Sequence, residues 1–167
     1  MFIRLIIILS LFHSSLLVSD QRMVIHEGVE REYIIHVPEN LNQDSPIVFV
    51  IHGYTGSADG IAAYSGMNSI AEREGFIAVY PQGTIDSYGN AFFNVSYEFN
   101  DESTINDVSF IRELVKSISH EFNLKRKKAF ATGMSNGGEM SYLLACTSSD
   151  LFKAVAPVAG VLMKGLK

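Results

Sequence analysis

An α/β fold, with a mostly parallel sheet and helices on both faces, is what this 167-residue sequence predicts. From residue 46 onward, short apolar runs alternate with helical patterns, which implies βαβ crossovers. The runs Pro46–Ile51 (PIVFVI) and Phe76–Tyr80 (FIAVY) are apolar throughout, as strands covered on both faces are. Residues 129–147 (AFATGMSNGGEMSYLLACT) pass from an apolar run through a glycine-flanked turn directly into a helical pattern.

The elements follow in order. Met23–His26 and Arg31–Val37 read as two strands, with Glu27-Gly28-Val29 as the turn between them and Pro38 as the stop. His26 and His36 are expected on the exposed face of this hairpin. Ala58–Glu74 is helical, in two pieces around Ser65-Gly66, and Gly75 ends it. Gln82–Glu102 has no sustained period and is rich in Asn, Ser, Gly and aromatics. A long irregular loop after a strand end suits a pocket wall. Tyr88, Phe92, Phe93 and Tyr97 either line such a cleft or pack under the loop. Asn94-Val95-Ser96 matches a glycosylation acceptor.

Val108, Ile111, Val115, Ile118 and Phe122 recur at spacings of three and four, one face of a helix. Asn106 is its expected cap, and Asp107 suits its positive end. His120, near the other end, is expected in solvent. Lys125–Lys128 reads as a basic surface turn. Phe152–Ala159 (FKAVAPVA) reads as a further buried strand, with Pro157 marking where pairing stops.

The length allows one modest domain. Apolar residues make up 47% and charged ones 19%, which suits a folded core rather than a disordered chain. The net charge is −5 and there is no basic block, so nucleic acid is not an expected partner. No Cys/His cluster has metal-ligand spacing and no phosphate loop is present, so neither a metal nor a cofactor is expected. The single cysteine, Cys146, is expected to be a small buried apolar group.

The first residues differ in kind. Arg4 is followed by the apolar run Leu5–Phe12 and a serine-rich stretch ending near Ser19. Residues 1–19 read as a secretory signal peptide, with cleavage near Ser19-Asp20 and a folded domain over 20–167. The alternative, a membrane anchor, has too short an apolar run for a span of about 20 residues.

The chemistry resides in Gly133-Met134-Ser135-Asn136-Gly137, a G-x-S-x-G in strand–turn–helix context. Glycines on both flanks remove side chains that so tight a bend would not accommodate, and Ser135 is left presented above the sheet. The N–H groups and positive dipole end of the new helix face any negative charge forming there. His52-Gly53-Tyr54-Thr55-Gly56, after the earlier apolar strand, is an H-G-x-x-G loop of the kind that supplies a second oxyanion donor. The alternative for each motif is a plain strand-to-helix turn, with Ser135 solvated and His52 packed nearby.

These two blocks combine with Tyr80-Pro81-Gln82-Gly83, Asn106-Asp107-Val108-Ser109-Phe110-Ile111 and Ala154-Val155-Ala156-Pro157-Val158-Ala159-Gly160. Together they resemble the secreted esterase family of polyhydroxybutyrate depolymerase-like enzymes and feruloyl esterases, from about Val24 onward. The resemblance implies an α/β-hydrolase that cleaves carboxylic esters of a polymeric substrate, a polyester or a plant cell-wall polysaccharide. It implies Ser135 as nucleophile and the backbone N–H groups of Tyr54 and Asn136 as the oxyanion hole. It also implies an acidic residue and a histidine downstream of the serine. No histidine follows His120. The expectation is therefore an N-terminal portion, C-terminally truncated and inactive on its own. A non-catalytic binding module and a peptidase on the same fold are the competing readings.

Overall fold

The structure, a computed structural model, describes residues 19–98, 103–126 and 128–162. The expected signal peptide lies outside the described residues except for Ser19. The chain forms β1 (Asp20–His26), β2 (Val29–His36), β3 (Ile47–Ile51), α1 (Ala58–Ser65), α2 (Met67–Glu74) and β4 (Ile77–Pro81). A short hairpin follows, β5 (Thr84–Ile85) and β6 (Ala91–Phe92), then α3 (Asp107–Glu121), β7 (Ala129–Met134), α4 (Asn136–Thr147) and β8 (Phe152–Val158).

The main sheet has six strands in the order β1-β2-β4-β3-β7-β8. The last four are mutually parallel, and β2 runs antiparallel to both β1 and β4. Glu27 and Gly28 both have positive φ, 50° and 78°, as a two-residue turn between twisted antiparallel strands requires. The expected helix break falls at Gly66, whose φ of 67° ends α1 and opens α2. Asn106 caps α3 through the Ser109 amide at 2.9 Å.

Successive strand residues point to opposite faces. Ile47, Phe49 and Ile51 of β3 join the core built with α3 and α4, together with Ile111, Val115, Met140 and Leu144. Val50 faces the other way, into the core under α1 and α2 with Ile61, Ala71 and Tyr80. The loop leaving β3 thus turns to one face and the loop leaving β7 turns to the other. Between these adjacent parallel strands the divergence opens a crevice at their C-terminal ends, the usual ligand position in a doubly wound sheet.

Five expectations are corrected. β2 lies inside the sheet rather than at a free hairpin edge, so His36 is buried, with Nε2 2.8 Å from Glu72 Oε1. His26 is largely covered as well, its ring 5.9 Å from that of Phe110. Among the described residues, Phe152–Val158 is paired on one side only, with β7, and beyond Phe152 its residues are exposed or half-buried. Pairing continues through Pro157↔Gly133 to Val158↔Met134, since an edge strand tolerates a residue lacking an N–H. Cys146 is exposed, not buried.

Candidate active site

The β7–α4 turn is built by steric exclusion. A Cβ on Gly137 would stand 2.1 Å from the Ile51 carbonyl oxygen, and one on Gly133 would stand 2.5 Å from the Gly137 carbonyl oxygen. Only glycine lets the start of α4 press against the end of β3 this closely. The residue between them is forced into an unusual backbone state: Ser135 has φ 54° and ψ −119°. Such a conformation costs on the order of 1–3 kcal/mol and persists only where surrounding contacts enforce it. Here the Ser135 amide donates to the Val158 carbonyl at 2.9 Å, and the Ser135 carbonyl accepts from the Glu139 amide at 2.9 Å. Ser135 is exposed at the top of the sheet, at the N-terminus of α4.

The second motif arrives from β3. Ile51 pairs with Gly133 at the ends of the two strands, so His52-Gly53-Tyr54 leaves beside the serine turn. A Cβ built on Gly53 would lie 3.1 Å from the Met134 carbonyl oxygen and 3.5 Å from Ser135 Cβ. The three sequence-predicted site residues, Tyr54, Ser135 and Asn136, therefore belong to two loops in contact at the crevice. A cleft of about 330 Å³ adjoins the serine turn, lined by residues that include His52, Gly53, Tyr54, Tyr64 and Met134, the neighbour of Ser135. That is the lower end of the range for small-ligand sites. A larger hollow of about 550 Å³, over Glu30, Glu32, Gln82 and Thr84, shares no residue with either motif.

His52 is committed to structure. Its Nδ1 lies 2.7 Å from the Gly53 carbonyl, and its Nε2 accepts from the Gly83 amide at 3.0 Å. Because Nε2 is an acceptor, the proton sits on Nδ1 and the ring is neutral. Burial pushes its pKa down, against the opposing pull of the Gly53 carbonyl and Asp107. Both nitrogens are thus occupied, and His52 is not the base for Ser135. Among the described residues, no histidine is hydrogen-bonded to the Ser135 hydroxyl.

Several contacts behind the site are not legible as motifs. Asn136, fully buried, clamps residue 93: its Oδ1 accepts from the Phe93 amide at 2.8 Å and its Nδ2 donates to the Phe93 carbonyl at 2.9 Å. The Tyr97 hydroxyl donates to Glu139 in the first turn of α4. Burial and this bond push the Tyr97 hydroxyl well above the ordinary phenol range. Phe92 and Phe93 pack under the loop, whereas Tyr88 is exposed. Asn94 Nδ2 donates to the carbonyls of Ser103 and Ile105, so the nitrogen that would carry a glycan is already engaged.

Residues 32–166 match the family described as Esterase PHB depolymerase. The chain belongs to this family. It is 30% identical over 149 residues to a probable feruloyl esterase C of Aspergillus flavus, covering 84% of this chain and 50% of that protein. It is 28% identical over 125 residues to a poly(3-hydroxyalkanoate) depolymerase C of Paucimonas lemoignei, covering 75% of this chain and 30% of that protein. The solved acetyl xylan esterase from Aspergillus awamori superposes with a TM-score of 0.70 at 27% identity, over 85% of this chain and 52% of that one. The chain thus spans half or less of the length of the two sequence relatives. The α/β-hydrolase fold expected from the sequence is the fold of this PHB depolymerase family member. No helix among its described residues is long and apolar enough to cross a membrane.

Proposed function

We propose that this protein is a secreted serine esterase that hydrolyses carboxylic esters of a polyester or a plant polysaccharide through an acyl-enzyme, with Ser135 as nucleophile. The observation that carries this is the forced backbone of Ser135 at φ 54°, exposed at a helix N-terminus beside the Gly53 loop. Sequence relatives and the superposed structure named for ester hydrolysis, on feruloyl, acetylxylan and polyhydroxyalkanoate substrates, support the reaction class.

The Ser135 hydroxyl attacks the ester carbonyl, and its proton passes to a base that the described residues do not supply. The carbonyl oxygen becomes an oxyanion held by the backbone N–H groups of Tyr54 and Asn136. The first N–H groups of a helix have no intrahelical acceptor, and the dipole of α4 adds to their pull. One such donor is worth about 2.7–4 kcal/mol in the barrier. The intermediate collapses, expelling the alcohol. Water then attacks the acyl-Ser135 ester, and the acid leaves.

Secretion rests on the leader over residues 1–19. β1 begins at Asp20, directly after the proposed cleavage point, so removal of the leader leaves the first strand whole.

The test is active-site labelling of the full-length protein. A fluorophosphonate probe is expected to modify Ser135, and Ser135→Ala to abolish both labelling and aryl-ester turnover. Labelling or turnover that survives in the alanine variant would remove the serine from its role. A ratio of ester to peptide-amide turnover near unity would favour a peptidase instead.

A further inference from the structure

Tyr54 and Asn136, the two residues of the proposed oxyanion hole, come from loops 82 residues apart in sequence, yet both are held by one segment. From Asp86 to Phe93 the chain passes over both loops. At its start, Asp86 Oδ2 accepts from the Tyr54 hydroxyl at 2.6 Å, and Asn90 Nδ2 donates to the same hydroxyl oxygen at 2.9 Å. Midway, the Ala91 carbonyl accepts from the Thr55 amide at 2.9 Å. At its end, the Phe93 amide and carbonyl are both bonded to the Asn136 side chain.

Asp86 is itself fixed. Its Oδ1 accepts from the Tyr88 and Asn90 amides, each at 2.9 Å, so its carboxylate is the centre of the β5–β6 turn. Its backbone amide donates to the Asn90 carbonyl at 2.9 Å. The Tyr54 hydroxyl therefore docks on a preformed acceptor rather than on a mobile side chain. Its proton is held more tightly than in a free phenol, because the neighbouring carboxylate accepts it.

We propose that Asp86 is a positioning residue for catalysis: through the Tyr54 hydroxyl it fixes the Tyr54 backbone N–H relative to that of Asn136, which the far end of the same segment holds. This rests on the esterase reading above. The Tyr54 side chain has no part in the chemistry; it is the handle by which its own amide is aimed. Oxyanion donors act only when they stand about 2.7–3.1 Å from the developing charge, so a small drift of one amide weakens transition-state binding while leaving ground-state binding nearly intact.

The experiment compares Tyr54→Phe, Asp86→Ala and Asp86→Asn with the parent full-length protein, using 4-nitrophenyl acetate and counting active sites with a fluorophosphonate. Tyr54→Phe and Asp86→Ala are each expected to lower kcat per titrated site about tenfold, with KM changed less than about twofold. Their combination is expected to be no slower than Asp86→Ala alone, because Asp86→Ala already removes the bond that Tyr54→Phe removes, along with the acceptor of the Tyr88 and Asn90 amides. Asp86→Asn, which keeps Oδ1 as acceptor for the Tyr88 and Asn90 amides and offers Nδ2 as a donor to the Tyr54 hydroxyl oxygen, is expected to recover part of the loss. Affinity for an arylboronic acid, whose adduct oxygen occupies the oxyanion position, is expected to fall in parallel with kcat/KM. An unchanged kcat per titrated site in Tyr54→Phe overturns the proposal, as does a loss that appears equally in KM. If Asp86→Ala fails to fold, Tyr54→Phe alone decides. Loss of all turnover in Ser135→Ala alongside a normal Tyr54→Phe rejects the positioning role and keeps the serine. Retained turnover in Ser135→Ala rejects both.

Discussion

The side-chain amide of Asn136 pairs with the backbone of Phe93 in both directions, accepting its N–H at 2.8 Å and donating to its carbonyl at 2.9 Å. The pair closes a buried contact between the start of α4 and the loop after β6. Removing the amide strands two buried backbone groups. Asn136→Ala is expected to destabilise the full-length protein by roughly 2–6 kcal/mol, since each unsatisfied buried group costs about 1–3. Asn136→Asp is expected to be no milder: one carboxylate oxygen replaces the acceptor, but the other faces the Phe93 carbonyl with no proton to give. Urea denaturation of the three proteins checks the order. An aspartate variant as stable as the parent would contradict it.

The two glycine environments predict different costs for the same substitution. At Gly137 an added methyl meets the Ile51 carbonyl oxygen at 2.1 Å, and at Gly66 it meets nothing within 4 Å. Gly66 has φ 67°, so Gly66→Ala incurs backbone strain alone, on the order of 1 kcal/mol. Gly137→Ala must push α4 away from β3 and is expected either to cost more than about 3 kcal/mol or to leave no soluble protein. Thermal melts of both variants test this. Equal melting temperatures would mean that the elbow is looser than its packing indicates.

His52 gives a pH dependence whose sign is fixed by its burial. Its folded pKa lies below the ordinary value of about 6.5, because desolvation opposes the charged ring. In the unfolded chain the ring protonates near 6.5. Below that pH the unfolded state binds more protons than the native state, so stability falls as pH falls. The His52 contribution is complete above about 6.5 and declines below it by at most about 1.4 kcal/mol per pH unit, down to the folded pKa. The ring nitrogen shifts of His52, followed by NMR through a pH titration, should show a midpoint below the ordinary value of about 6.5. A midpoint at or above 6.5 would refute the assignment.

How much of this was legible beforehand divides along a physical line. The elbow was readable because its requirement is local: glycines at 133 and 137 are demanded by backbone a few residues away in sequence or on the neighbouring strand. The split helix was readable because Gly66 carries its own signal. His36 was misplaced because a hairpin motif does not state which of its strands joins the sheet. β2 pairs with β4 as well as β1, and that pairing covers the histidine. Cys146 was misplaced because α4 buries its Leu144 side. Two residues on, about 200° around the helix, the thiol faces solvent. The Asn136–Phe93 and Asp86–Tyr54 pairs span 43 and 32 positions and involve residue types that also fill ordinary loops. Nothing in their spacing marks them.

A buried ion pair anchors the same loop from below. Arg31 Nη2 stands 2.5 Å from Asp107 Oδ1, with both side chains almost fully buried, and the guanidinium lies 3.9 Å over the Phe110 ring. Asp107 Oδ2 also accepts from the Asn94 amide at 2.7 Å. Breaking such a pair from one side leaves an uncompensated buried charge, so Arg31→Met and Asp107→Leu are each expected to cost about 3–5 kcal/mol. Replacing both removes both charges at once. The double variant is expected to regain most of the summed loss, though not all of it, because the Asn94 amide stays without its acceptor at about 1–3 kcal/mol. Chemical denaturation of the four proteins closes the cycle. Simple additivity, with the double variant as unstable as the two losses combined, would show that the charges do not depend on one another.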